Sequence, residues 1–475
     1  MKENTKKNTV RPFERIKHTF LQAIGSRIMC ELNDLKRTPE SAAKELNVPI
    51  KELHKIIKGH STEEQAFRLI NRMGQIYPID HTQMYLLKDD TLNGARFMTA
   101  EESLKNSRIY NRLDRNGNLT PYYDYRDTAM SRLALFKPEW IYQLRFVNND
   151  DPNNPDMVLN KGHNMHQYGL FVGPVNFYYE DLNGVVHCTE MNTGDSNYIT
   201  PFIKHSFTNR SKNENAFIIA CTSGCETSRA QRELYALGED VLKNYVLSFR
   251  DKNQATLQLI KQHMNNDMVT MENMEMLLKE MGSDVNILEI FSANREIRLE
   301  EYEIIANALN VEIGDIMFPK YRPEEDCVLK YISNNKSHPF PNDENKLYDI
   351  HTLARTSKMP LLRGSIVDVM SNKPDLTYPI QRSLHSYLYN FSDSPIDLLW
   401  EYDNEVFANT VNPGDSLYLK PFIKYAFGNP SMGNARMLVI GISGAVGLQT
   451  QRELSTLTQP SRVINELEPW FEEGT

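Results

Sequence analysis

At 475 residues, with 40% hydrophobic and 24% charged side chains, the chain is too long for one ordinary domain. That balance is also wrong for a collagen-like, coiled-coil or largely disordered protein. No apolar run is long enough to span a bilayer, and the net charge of −9 makes a polyanionic partner such as nucleic acid unlikely.

The first 17 residues are polar and basic, with no apolar core of the secretory type. The cysteines Cys30, Cys188, Cys221, Cys225 and Cys327 form no C-x-x-C pair. They read as reduced structural thiols, so a cytoplasmic protein is expected. Residues 12–88 carry helical periodicity. Within them, residues 41–57 look like two short helices around a tight turn, the helix-turn-helix style. Beyond them the period changes to two. Residues 171–179 are strand-like, Asp181-Leu182-Asn183-Gly184 is a turn, and Val185-Val186-His187-Cys188 resumes the strand. Residues 216–220 and 437–441 are further short buried strands. Helical patterns return over 270–281 and 299–309. Many short strands with Gly, Asn and Asp turns suggest a barrel or sandwich.

The chain also repeats itself. Residues 193–209 read TGDSNYITPFIKHSFTN and residues 413–429 read PGDSLYLKPFIKYAFGN, identical at ten of 17 positions after a shift of 220. At the same shift Ser223-Gly224 meets Ser443-Gly444, and Gln231-Arg232-Glu233-Leu234 meets Gln451-Arg452-Glu453-Leu454. One register over this span marks a duplication. The expected fold class is α+β, a tandem duplication of a helical helix-turn-helix-like domain plus a β-barrel. The boundaries are a helical domain over 1–95, a barrel over 96–240, a second helical domain over 241–325 and a second barrel over 326–475.

The segment Asn160-Lys161-Gly162-His163-Asn164-Met165-His166-Gln167 is the richest in metal-ligand residue types. A strand beginning near His163 would put 163, 165 and 167 on one face, so that His163 and Gln167 both enter the barrel. The repeated block supplies His205. Two imidazoles and one oxygen on one face of a metal leave positions open for substrate and dioxygen, which suits Fe(II). At the 220-residue shift His163 becomes Ser383, Gln167 becomes Tyr387 and His205 becomes Tyr425. Only the first barrel is therefore expected to bind metal. His166 and His187 read as ordinary core or surface histidines.

The frame Gly194-Asp195, Pro201, His205, Asn209 resembles the second motif of the cupin superfamily, although the step from Pro to His is one residue short and a central Gly is missing. Within cupins the chain resembles the non-haem iron phosphonate oxygenases, over nearly its whole length. Asn160-Lys161-Gly162-His163 matches their N-x-G-H ligand segment, with Gln167 where the epoxidase branch has Glu. Tyr122-Tyr123-Asp124-Tyr125 matches their Y-Y-x-Y run, and Lys36 their helical-domain lysine. Ile199 stands where the dioxygenase branch, which makes hydroxymethylphosphonate and formate, takes its Glu ligand. Gln167 together with Ile199 is similar to the branch that makes methylphosphonate.

The resemblance implies a metal held by His163, Gln167 and His205. It implies a phosphonate bound by Lys36, Asn160, Tyr123, Tyr125 and an arginine, for which Arg115 is chosen over Arg112. The implied reaction is oxidative C–C cleavage of 2-hydroxyethylphosphonate by O2 at Fe(II), giving methylphosphonate and CO2 or bicarbonate. The substrate would supply all four electrons, so no 2-oxoglutarate is expected. A homo-oligomer is implied, with Lys36 donated by a neighbouring subunit or repeat. Three rival readings are a helix-turn-helix–cupin transcription regulator, the sister dioxygenase that makes hydroxymethylphosphonate and formate, and a metal-free sugar-binding or scaffolding cupin. Residues 11–58 carry ten Lys and Arg against six Asp and Glu. However, the candidate recognition helix over 50–58 lacks the Arg, Asn and Gln that read bases.

Overall fold

A computed structural model describes residues 19–465 except 135, 225 and 432. Four helices come first: α1 (Phe20–Asp34), α2 (Pro39–Glu45), α3 (Ile50–Ile57) and α4 (Glu63–Ile76). Thr19 and Thr62 head α1 and α4 with reciprocal capping boxes, each worth about 1 kcal/mol. Thr38 caps α2 just before Pro39. Ile24, Ile28, Leu32, Leu53, Leu69 and Met73 meet in one helical core. The expected pair of short helices is α2 and α3, joined by residues 46–49.

The strands of the first half are β1 (Ala95–Met98), β2 (Arg108–Leu113), β3 (Leu119–Asp127), β4 (Phe136–Gln143), β5 (His166–Val172), β6 (Val175–Glu180), β7 (Val186–Met191), β8 (Ser196–Ile199), β9 (His205–Asn209) and β10 (Phe217–Ser223). A second helical unit over residues 252–316 packs around Ile260, Met274, Ile290 and Ile305. The second half then continues with β11 (Cys327–Lys330), β12 (His338–Phe340), β13 (Tyr348–Thr352), β14 (Leu362–Val369), β15 (Ile380–Gln381), β16 (His385–Asn390), β17 (Ile396–Tyr402), β18 (Glu405–Val411), β19 (Ser416–Leu419), β20 (Lys424–Gly428) and β21 (Arg436–Ile442).

Each half holds two facing sheets. One seven-stranded sheet runs β11-β8-β5-β10-β4-β3-β2, the other β1-β19-β16-β21-β14-β13-β12, and the strand order is the same in both. The smaller sheets run β7-β6-β9 and β15-β20-β17-β18. Residues of both sheets fill each interior: Phe171, Phe177, Ile199 and Phe207 in the first half, Leu398, Tyr425, Phe427 and Val439 in the second.

The outer edge strands are exchanged. β1 follows the first helical unit but pairs with β19, and β11 follows the second helical unit but pairs with β8. The boundaries expected near residues 96 and 326 thus each precede a strand that completes the opposite half. A third core lies between the two large sheets and draws Trp140, Tyr168 and Tyr198 from one half and Tyr387, Tyr389 and Ile440 from the other.

The crossover into β11 is pinned from both sides. Asp195 accepts the Ile332 amide at 2.8 Å. Glu325 accepts Thr356 Oγ1 at 2.8 Å and Ser357 Oγ at 2.6 Å. Burial opposes ionisation of Glu325, but these donors and Arg322 outweigh it and hold its pKa at about 2. A carboxyl depressed in the folded state stabilises above its unfolded pKa, and that contribution is lost as pH falls through the folded value. Between pH ~4.5 and ~2 the protein should therefore lose about 3 kcal/mol through this group. Glu325→Gln should flatten that part of a stability-against-pH curve measured by urea unfolding. An unchanged slope would refute the assignment.

The pairing registers also correct the alignment of the halves. Tyr168 faces Tyr198 as Tyr387 faces Tyr418, so β5 and β16 are offset by 219 rather than 220. His166 and His385 confirm it, bonding Tyr198 and Tyr418 through Nδ1 at 2.6 and 2.7 Å. Gln167 therefore corresponds to Ser386, and by the same offset His163 to Arg382; neither Ser383 nor Tyr387 is the counterpart.

Candidate metal centre

His163 is not on a strand. β5 begins at His166, and His163 lies in the loop before it, so shared strand face does not explain its position. The loop turns at Gly162, whose φ is +72°. Asn160 Oδ1 accepts the amides of Gly162 at 3.0 Å and His205 at 2.9 Å, and the Phe202 amide donates to the His163 carbonyl at 2.9 Å. These bonds tie the loop to β9, which carries His205.

A Cβ on Gly162 would come within 2.5 Å of the Phe202 carbonyl oxygen. Gly162→Ala should displace His163 and lower metal affinity by about 10- to 100-fold, the range seen when a ligand's supporting shell is lost. Metal titration of the variant checks this, and wild-type affinity would contradict it.

The three expected ligands converge. The His163 and His205 rings lie 5.2 Å apart at 87°, and His163 Nε2 is 3.3 Å from Gln167 Oε1. Gln167 and His205 are each 4% exposed, so little water competes for them. His205 Nδ1 donates to the Ile203 carbonyl at 2.8 Å, which leaves Nε2 as the lone-pair nitrogen. Burial, followed by the neighbouring His163 and Arg112, lowers the His205 pKa to about 4, so the ring is neutral at pH 7.

In the tautomer that satisfies the Met165 carbonyl, 3.2 Å from His163 Nδ1, His163 Nε2 is also an acceptor and faces another acceptor, Gln167 Oε1. Gln167 Nε2 is buried without a partner. The His163 and Gln167 acceptors, converging with no proton between them, fit a cation, and two neutral imidazoles with an amide oxygen fit Fe(II). Among the described residues no group of three His, Cys, Asp or Glu gathers anywhere, so a metal here depends on the Gln167 oxygen as third donor. Ile199, 1% exposed, pairs directly with Gln167 on one side and with Cys327 on the other.

The tyrosine run is bulged. Pairing slips between Tyr110 and Asn111, leaving Tyr122 as the extra residue of β3. Strand alternation alone would turn Tyr122 away from Tyr123. Instead both hydroxyls meet Ser206 Oγ, at 2.8 and 3.1 Å. Tyr123 also accepts the Phe207 amide at 2.9 Å. Tyr123 and Tyr125 do share a face, with ring centroids 5.6 Å apart. Burial pushes the Tyr125 pKa up to about 12, so it remains a neutral hydroxyl.

The structure does not bring Arg115 here. Its side chain, 55% exposed, is ion-paired with Asp156 on the hairpin surface. Arg112 is the arginine at the site, lying 4.8 and 5.1 Å from the Tyr122 and Tyr123 ring centres and donating to the Val158 carbonyl. Its place two residues into the hairpin end of β2 was legible only as a rival. Asn160 is present, its Nδ2 3.0 Å from His205 Nε2. Lys36 sits on the turn after α1 with φ +58°, its ammonium 3.3 Å from the Asn33 carbonyl. Cys327 and Tyr331, from the exchanged strand and the residues just after it, pack on the same interior as Ile199 and were missed. His166 is bonded to Tyr198, and His187 pairs with Asp181 at 3.0 Å on a surface turn.

No family model matches the chain. It is 38% identical to the methylphosphonate synthase of Nitrosopumilus maritimus over 459 residues, 96% of each protein. Its fold is similar to that of Streptomyces albus HEPD with 2-hydroxyethylphosphonate and Fe(II) bound, with a TM-score of 0.84, 31% identity, and 95% of this chain and 99% of that one covered. A variant of 2-hydroxyethylphosphonate dioxygenase shares the fold at a TM-score of 0.71 and 17% identity, covering 93% and 99%. An end-to-end match at that identity, over a fold whose interior gathers two histidines and a glutamine, places this chain in the methylphosphonate synthase family of phosphonate oxygenases.

Proposed function

We propose that the protein is a non-haem iron oxygenase that converts 2-hydroxyethylphosphonate and O2 to methylphosphonate with CO2 and water, or equivalently with bicarbonate and a proton. The atoms balance, and the four electrons lost by the substrate reduce O2 fully, so no 2-oxoglutarate or other reductant is needed. The observation that carries the reading is the neutral donor set of His163, Gln167 and His205, with apolar Ile199 against Gln167. Iron(II), when bound there, supplies the redox centre at which O2 meets the chelated substrate.

The chain's own residues do the rest. The carbonyls of Ile203 and Met165 orient the two imidazoles. A neutral Gln leaves the site one unit more positive than Glu would, which favours a dianionic ligand. Arg112 supplies a guanidinium for the phosphonate. Tyr125 and Asn160 supply neutral donors, and Tyr123 backs them. Ile199, Ile203 and Phe207 keep water from the reacting carbon. Lys36 of a second copy completes the phosphonate shell in the reading taken from the family resemblance, which also makes the protein a homo-oligomer. The shared strand order supports two copies of a helical unit plus cupin barrel, only the first holding metal. No described helix is long and apolar enough to cross a membrane, and the absence of a disulfide among the described cysteines is compatible with a reducing, cytoplasmic setting.

Phosphorus NMR of the purified protein with Fe(II), O2 and 2-hydroxyethylphosphonate tests the proposal. A methylphosphonate signal is expected. Hydroxymethylphosphonate would overturn the product assignment, and no turnover with iron bound would overturn the substrate.

A further inference from the structure

The counterpart of the metal centre in the second half has not simply decayed. The corrected register places Arg382, Ser386 and Tyr425 where the first half has His163, Gln167 and His205. One row crosses the large sheet as Arg363–Gly441–Ser386, matching Lys137–Thr222–Gln167 in the first half. This row faces the second half's own interior. Met437 and Val439, which alternate with Leu438 and Ile440 along β21, pack with Tyr425 and Phe427, whereas Leu438 and Ile440 face the first half.

Two arginines come together there. Arg382 Nη2 donates to the Arg363 carbonyl at 3.0 Å. It occupies the space above Gly441, where a Cβ would approach it to 2.5 Å. The charged groups that act on Arg363 are Arg355 and Arg382, both cations, and together with burial they lower its pKa. Among the described residues no carboxylate forms an ion pair with any of the three. The Tyr425 hydroxyl, 1% exposed, lies beside Arg382 and Ser386 but closes no hydrogen bond. Half-buried guanidiniums whose partners are backbone carbonyls, Leu362 for Arg363 and Arg363 for Arg382, and which have no counter-charge, next to a buried hydroxyl outside hydrogen-bond geometry, fit an anion. Forked guanidinium donors fit tetrahedral oxyanions in particular.

We propose that the interior of the second half is an oxyanion site, in which Arg382, Arg363 and Tyr425 bind a phosphate or phosphonate group. The site is independent of the iron reading. The test is calorimetric titration of the full-length, iron-free protein with inorganic phosphate and, separately, with methylphosphonate. One equivalent should bind, weakened at least tenfold by Arg382→Ala and unaffected by Arg112→Ala. The ligand bound more tightly identifies the source as free phosphate or a phosphonate. Should Arg382→Ala fail to fold, Arg382→Lys and Tyr425→Phe should each weaken binding several-fold while leaving the ligand-free melting temperature in place. Absence of binding by the folded wild-type chain would overturn the proposal. So would binding abolished by Arg112→Ala and indifferent to Arg382→Ala.

Discussion

His205→Ala and Gln167→Ala should each lose bound iron and lose turnover together. His205 offers one lone-pair nitrogen, fixed by the bond from Nδ1 to Ile203. Alanine removes that nitrogen and leaves the site with one imidazole and one amide oxygen. Gln167 supplies the third donor. Ile199, paired on one side of it, offers no oxygen, and the Thr222 hydroxyl on the other side is turned to the Lys137 carbonyl. Loss of a supporting shell alone costs about 10- to 100-fold in metal affinity, so loss of a ligand should exceed 100-fold and reduce activity below detection. Iron content after gel filtration, read beside the phosphorus NMR assay, checks both. His166→Phe is the control: that ring sits on the opposite face of β5 with its nitrogen spent on Tyr198, so iron should be retained. A Gln167→Ala protein with full iron and full turnover would remove Gln167 from the ligand set.

What the chain reveals about this site before folding is uneven, for physical reasons. The duplicated block is legible because the tight Gly-Asp turn and the Pro-Phe-Ile-Lys corner must be built twice from local residues. Short-range geometry leaves short-range signatures. Arg115 and Arg112 both lie near one hairpin, so local sequence does not separate them. Which of them turns inward depends on Asp156, 41 residues away, which captures Arg115. Tyr122 defied alternation because a bulge inserts one residue on β3, and a bulge shows in the partner's register rather than in the strand's own residues. The single-residue difference in offset between the copies escaped for the same reason. The exchange of β1 and β11 left no trace, because a strand's apolar pattern records that it is paired and not with what.

Trp140→Ala should destabilise the whole chain, not only the half that contains it. Trp140 is 3% exposed on β4, and its ring meets Phe217 at 5.4 Å and Tyr389 of the other half at 5.7 Å, edge to face. Truncating a buried tryptophan costs about 3–5 kcal/mol through lost transfer energy and the cavity left behind. The fold gives the two sheet systems little freedom to unfold apart. Each depends on an edge strand reached through the other half's chain, β1 on β19 and β11 on β8, and the core between them is drawn from both. Melting of either half exposes that shared core and frees one strand of the other. The sheet signal should therefore unfold in one transition in the wild type and in one transition, shifted downward, in Trp140→Ala, as circular dichroism with calorimetry would report. A variant that unfolds in two steps, with the second half's transition unmoved, would show that the exchanged strands and shared core do not couple the halves. The oxyanion site could then be studied as a separate unit. A single shifted transition ties the half that carries Arg382 to the stability of the half that carries His163. In that case phosphate bound at Arg382 should raise the midpoint for both, by mass action on the folded state.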